Sequence, residues 1–136
     1  MISFNYETDF ELHNEAQLSD WISTTISDEN CKEGEINYIF CNDEYLHKLN
    51  VEFLNHDTLT DIISFDYSVG KELHGDIYIS IERVADNAKD FNSEFIDELH
   101  RVMIHGILHY CGYKDKTDAD EIVMRNKEND CLAKLS

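Results

Sequence analysis

Apolar and polar residues alternate over residues 1–6, where Ile2, Phe4 and Tyr6 share one side of the chain. A period of two predicts a short strand. The period changes over residues 15–29. There Ala16, Leu18, Trp21, Ile22 and Ile26 recur at the spacing of one helical face. Residues 35–41 (EINYIFC) alternate again and predict a strand. Asn42, followed by Asp43 and Glu44, is a helix start, since its side-chain oxygen can cap free amides and the acids suit the helix dipole. This helix runs to about Phe53 and is expected to bury Tyr45, Leu46, Leu49 and Phe53. Residues 61–67 (DIISFDY) form a nearly continuous apolar run, the pattern of a strand covered on both faces.

A turn from Ser68 to His74, containing Gly70, leads into a strand over residues 75–80. Helices follow over about 81–90 and 94–111. Gly112 ends the second of these, as a glycine just past a helix commonly does. Thr117 opens a last helix, with Asp118, Asp120 and Glu121 in its first turn, running to the C-terminus. The order β-α-β-α-β-β-α-α-α predicts an α+β fold: a mixed four-stranded sheet packed by about five helices. With no proline, five glycines and no repeat, the 136 residues read as a single domain, 1–136.

Charge narrows the range of partners. Asp and Glu number 29 against 11 Lys and Arg, a formal net charge of −18. Such a chain repels phosphate on average, so a broad basic surface for DNA or duplex RNA is excluded and an anionic membrane surface is disfavoured. The acid is uneven along the chain. The first 34 residues hold eight carboxylates and one base, Lys32, whereas eight of the 11 basic residues fall at or after Arg83. No apolar run is long enough to span a membrane, and the N-terminus lacks the basic and apolar regions of a signal peptide. Cys31, Cys41, Cys111 and Cys131 lie far apart without a CxxC pair, which suits reduced thiols serving as small core residues of a cytoplasmic protein.

Candidate chemistry is concentrated at residues 105–115. His105 and His109 are four apart, so their rings leave one helical face a turn apart, a spacing that can chelate one metal ion. The helix stops at Gly112, and Asp115 follows on the returning chain, within reach as a third ligand. Two His and one carboxylate form a catalytic zinc set with a fourth position left for water. The plain alternative is two surface histidines. Against it, a helical projection places the pair beside Glu98, Arg101 and Val102, with Ile96, Met103 and Ile107 on the opposite side. The spacing also matches H-E-x-x-H-x-x-G-x-x-H metalloproteases, but Gly106 stands where those enzymes carry their general base.

These residues resemble a known family, the YbeY-type rRNA maturation factors. Its hallmark H-G-x-L-H-x-x-G-Y-x-H reads here as His105-Gly106-Ile107-Leu108-His109-Tyr110-Cys111-Gly112-Tyr113-Lys114-Asp115. A T-[DN]-V-L-S-F strand reads as Thr60-Asp61-Ile62-Ile63-Ser64-Phe65, and a G-D-I-x-I-S strand as Gly75-Asp76-Ile77-Tyr78-Ile79-Ser80. The order and separation of all three agree, so the resemblance spans the chain. It implies one metal ion per chain, zinc being expected, held by His105, His109 and Asp115 on the helix and the turn after it. It also implies single-strand-specific RNA cleavage, maturation of the 3′ end of small-subunit rRNA, a part in ribosome quality control, and rRNA and the small ribosomal subunit as partners.

Two departures stand out. Asp115 replaces the usual third His; a carboxylate is a competent zinc ligand, but its charge makes a bound water less acidic and favours harder ions. An Arg that many members carry before the T-[DN]-V-L-S-F strand falls at Leu54, leaving His56 as the nearest candidate cation by proximity. Arg101, Lys114 and Lys116 are candidate phosphate contacts. In the plainer reading Arg101 pairs with Glu98 or Asp97 and the lysines are solvated. Ser64 and Asp76 are candidates to face the cleft, and no residue stands out as general base. The competing functions are a non-catalytic ribosome-assembly factor with a structural metal and another metal-dependent hydrolase, such as an atypical peptidase. The acidity predicts weak RNA binding and delivery by a basic ribosomal or assembly protein.

Overall fold

The computed structural model describes residues 1–54 and 60–135. Its elements are β1 (Ile2–Tyr6), α1 (Glu15–Asp28), β2 (Lys32–Cys41), α2 (Asp43–Leu54), β3 (Ile62–Asp66), β4 (Glu72–Ser80), α3 (Ile81–Asp90), α4 (Phe95–Tyr110) and α5 (Asp118–Lys134). The strands lie in the order β1-β2-β4-β3. β1, β2 and β4 are parallel, and β3 runs antiparallel to β4, so the sheet is mixed as expected. The start signals in the sequence work as caps. Tyr45 N–H donates to Asn42 Oδ1 at 2.9 Å, and Asp120 N–H donates to Thr117 Oγ1 at 3.0 Å.

Period-two alternation divides the strands between two cores. Ile36, Tyr38 and Phe40 of β2 and Ile77 and Ile79 of β4 enter the main core, which Leu18, Ile22 and Ile26 of α1 and the length of α4 complete. The other face carries a small core of Cys41, Leu46 and Ile63 beneath α2. Trp21 Nε1 donates to the Cys131 carbonyl at 2.9 Å, fastening α1 to α5 across the main core. All four cysteines are free, with Cys41 and Cys131 buried. Among the described residues, no helix is long and apolar enough to cross a membrane.

Three expectations need correction. β3 is an edge strand paired only with β4, and Ser64 and Asp66 are exposed. Its apolar run reflects packing of Ile62 towards α4 and of Ile63 and Phe65 towards α2, without cover along its whole length. On α2 only Leu46 is deeply buried among the expected four; Tyr45 is 38% and Phe53 60% exposed. The helix lies over a narrow edge of the sheet and can sink only one stripe. Ile96, projected onto the apolar side of α4, is exposed in the first turn of that helix.

Candidate metal centre

α4 is the buried hub of the molecule: Leu99, Met103, Ile104, Ile107 and Leu108 are inaccessible to solvent. It lies close to the sheet because residue 106 is glycine. A Cβ there would come within 3.1 Å of Ile77 Cδ1 and 3.2 Å of Ile62 Cδ1. The position after His105 therefore faces the sheet, and a protease-type Glu has no room to turn toward the histidines. One turn on, Tyr110 Oη donates to the Phe65 carbonyl at 2.9 Å above Gly75, where a Cβ would lie 2.2 Å from Tyr110 Oη.

His105 and His109 project from the neighbouring face of α4, with ring centroids 4.6 Å apart and Nε2 atoms 3.0 Å apart. The helix ends in a Schellman motif. Tyr113 N–H donates to the Leu108 carbonyl and Gly112 N–H to the His109 carbonyl, both at 3.0 Å, while Gly112 takes φ +107°. Glycine adopts that angle without the steric cost a Cβ would impose. The reversal brings Asp115 back over the histidines, its Oδ2 3.3 Å from each Nε2. The turn is anchored from two sides. Tyr113 Oη donates to Glu29 Oε1 at 2.7 Å, and Lys127 of α5 donates to Glu29 Oε2 at 2.8 Å.

These three atoms form a triangle with edges of 3.0, 3.3 and 3.3 Å. Donors placed tetrahedrally about an ion at roughly 2.0–2.1 Å lie about 3.3–3.4 Å from one another. The donor set thus fits a tetrahedral divalent ion with a fourth position open, and His105, His109 and Asp115 form the group able to hold a metal ion among the described residues. Solvent reaches the site through the Asp115 side chain, 42% exposed.

A residue that the sequence did not reveal completes the arrangement. Glu128 of α5 is buried, with Oε2 2.6 Å from His105 Nδ1 and Oε1 accepting from Arg101 Nη1 at 2.9 Å. A proton on Nδ1 shared with this carboxylate leaves the Nε2 lone pair directed at the other two donors. Burial alone would raise the Glu128 pKa, but the hydrogen bonds from His105 and Arg101 outweigh it and hold the carboxyl below its usual range. Its trace in the sequence was a Glu in the stripe Met124, Glu128, Cys131, the buried face of α5.

Other site candidates fall in different places. Arg101 lines the cleft, but its guanidinium is held by Glu128 and by Asn129 Oδ1 at 2.8 Å, in place of Glu98 or Asp97. Lys114 and Lys116 are exposed on the turn, outside the cleft lining. Asp76 accepts from Asn37 Nδ2 at 3.1 Å, on the sheet face away from α4, and Ser64 lies at the exposed edge. Leu54 ends α2, 42% exposed and outside the cleft lining. His56 lies outside the described residues. The cleft adds Asp61, whose carboxyl is raised by burial and accepts from Asn87 Nδ2 at a long 3.5 Å.

Comparison with known proteins shows the family and the fold. The family model described as Endoribonuclease YbeY matches residues 2–136. The chain belongs to the YbeY family. A relative named Endoribonuclease YbeY from Flavobacterium johnsoniae is 68% identical over 133 residues, covering 98% of this chain and 96% of that one. Another of that name, from Bacteroides thetaiotaomicron, is 44% identical over 117 residues, covering 86% and 85%. The solution structure of a Thermotoga maritima protein matches with a TM-score of 0.75 at 28% identity, covering 99% of this chain and 89% of that one. The expected YbeY-like fold and family are therefore both found.

Proposed function

We propose that this YbeY-family chain is a metal-dependent endoribonuclease, with zinc as its ion, that cuts single-stranded RNA. Its place is the maturation of the 3′ end of small-subunit rRNA and ribosome quality control in the cytoplasm. The observation that carries the chemistry is the convergence of His105 Nε2, His109 Nε2 and Asp115 Oδ2 into a triangle of zinc dimensions. Held by these residues, a divalent ion supplies Lewis-acid polarisation of a phosphoryl oxygen and activates a water or an aligned 2′-hydroxyl.

The chain's own residues prepare that chemistry. Glu128 holds the Nδ1 proton of His105 and keeps the ring turned into the site. Arg101 neutralises Glu128 from behind. The Glu29–Tyr113–Lys127 group fixes the turn that presents Asp115. Asp61, in the same cleft with a pKa raised by burial, is the candidate carboxyl for proton transfer.

The acidic charge supports weak affinity for free RNA and delivery to the ribosome through a basic protein. Association with small-subunit particles should then weaken as salt rises. The test is cleavage of single-stranded rRNA fragments by the zinc-loaded chain, with and without chelator. Cleavage that chelator abolishes supports the reading. Retention on ribosomal particles with no cleavage contradicts it in favour of an assembly factor, and cleavage of peptides contradicts it in favour of a peptidase.

A further inference from the structure

The cleft at the metal centre has a volume of about 760 Å³, within the usual range for a bound ligand, about 300–1,000 Å³. Its charge is unfavourable for RNA. Asp61, Glu98, Asp115, Asp118, Glu121 and Glu128 line it, against Arg101 and Arg125. Arg101 is taken up by Glu128 and Asn129, and Arg125 Nη1 lies 4.0 Å from Glu128. Apart from the metal, the cleft's side chains therefore capture phosphate weakly, and an RNA strand entering it gains from a contact that does not depend on charge.

The same cleft carries two large apolar side chains, Phe91 and Ile122, each 62% exposed. Phe91 does not sit on a loose loop. It caps α3, donating its N–H to the Asn87 carbonyl at 3.0 Å. The next residue, Asn92, turns the chain at φ +56°, and the N–H groups of Asn92 and Ser93 donate to the carbonyls of Lys89 and Ala88 at 3.2 and 2.9 Å. This closed helix end fixes the backbone beneath an exposed aromatic ring, so little ordering remains to be done when a ligand lies on it.

We propose that Phe91 is the base-stacking platform of the cleft: an unpaired nucleobase of single-stranded RNA lies against its ring, and Ile122 adds apolar contact from α5. Aromatic side chains bind single strands this way because every base has a π-face. Such stacking also selects for single strands, since a base held in a duplex cannot splay onto the ring. The inference rests on the reading of this chain as a single-strand endoribonuclease.

The experiment measures binding of a short, fluorescently labelled, 2′-O-methylated single-stranded oligonucleotide to the zinc-loaded chain by anisotropy. Phe91→Ala should weaken binding about 5- to 100-fold. Phe91→Trp should bind like wild type, and its emission should be quenched by the oligonucleotide; Trp21 is buried and adds a constant background. An abasic strand of the same length should bind wild type and Phe91→Ala alike. Both variants should keep one zinc per chain, which shows that the metal site and fold are intact. Equal oligonucleotide affinity in Phe91→Ala and wild type, while wild type still cuts RNA, overturns the stacking role alone; a protein partner on this apolar rim would give that result. If wild type neither binds nor cuts single-stranded RNA, the proposed function falls and the stacking role with it.

Discussion

Replacing Glu128 by Gln changes one atom and almost no volume, yet the amide cannot satisfy both of its neighbours. Glu128 accepts from His105 Nδ1 at 2.6 Å and from Arg101 Nη1 at 2.9 Å, so the site requires two acceptors and an amide offers one. If the Gln oxygen faces Arg101, its NH₂ meets Nδ1, which must then accept; the proton moves to Nε2, and the lone pair that points at His109 and Asp115 is lost. If the oxygen faces His105, two donors confront each other at Arg101, which keeps Asn129 and is 22% exposed. The first arrangement spoils the metal site and the second costs stability.

Loss of such an outer partner lowers metal affinity by about 10- to 100-fold, roughly 1.4–2.7 kcal/mol. The metal-free protein should lose about 1–3 kcal/mol of stability. Competition for zinc against a chromophoric chelator measures the first, and thermal melts of the metal-free protein measure the second. A Glu128→Gln protein with both wild-type zinc affinity and wild-type stability in its metal-free form would contradict this, because neither arrangement of the amide would then carry a cost.

Three further outcomes follow from particular contacts. Gly75→Ala places a Cβ 2.2 Å from Tyr110 Oη and 2.5 Å from the Phe65 carbonyl, and should destabilise the fold by about 3 kcal/mol in denaturant titration; a loss below about 1 kcal/mol contradicts the close packing. Burial pushes the Glu29 pKa up, but the hydrogen bonds from Lys127 and Tyr113 prevail and lower it. Its contribution is therefore present above the pKa of the unfolded chain and lost as pH falls through the lower folded value. Glu29→Gln should cost about 1–2 kcal/mol at neutral pH and flatten the acid limb of the stability curve; an unchanged acid limb speaks against it. Asp115→His should keep one zinc per chain while reducing competition by manganese, since a carboxylate suits harder ions; an unaltered zinc-to-manganese preference in metal competition goes against Asp115 as a ligand.

The order of elements was readable because each signal was local. Alternation marked β1 and β2, Asn42 and Thr117 marked helix starts, and Gly112 marked the end of α4. Pairing was less legible. An apolar run such as that of β3 looks the same in a central strand and in an edge strand whose two faces meet different helices. The ligand set could be read because i, i+4 spacing and a six-residue turn are short-range geometry, and the family motifs pointed to the same three residues. Glu128 could not be read in the same way, since 23 residues separate it from His105 and only packing of α5 on α4 brings them together. Arg101 shows the same limit: its helical neighbours Asp97 and Glu98 were local candidates, whereas its partners come from α5. The apolar residues of the cleft, Phe91 and Ile122, carried no sequence signal, because an exposed aromatic at a helix end acquires meaning from what it faces.

The most direct test of the account is zinc-edge X-ray absorption on the purified, zinc-loaded chain. One zinc per chain is expected, with only nitrogen and oxygen neighbours at about 2.0–2.2 Å, two of them imidazole, and a coordination number of about four. Sulfur neighbours at about 2.3 Å would place the ion on the cysteines, and failure to hold zinc stoichiometrically would remove it altogether; either result contradicts a metal centre built from His105, His109 and Asp115.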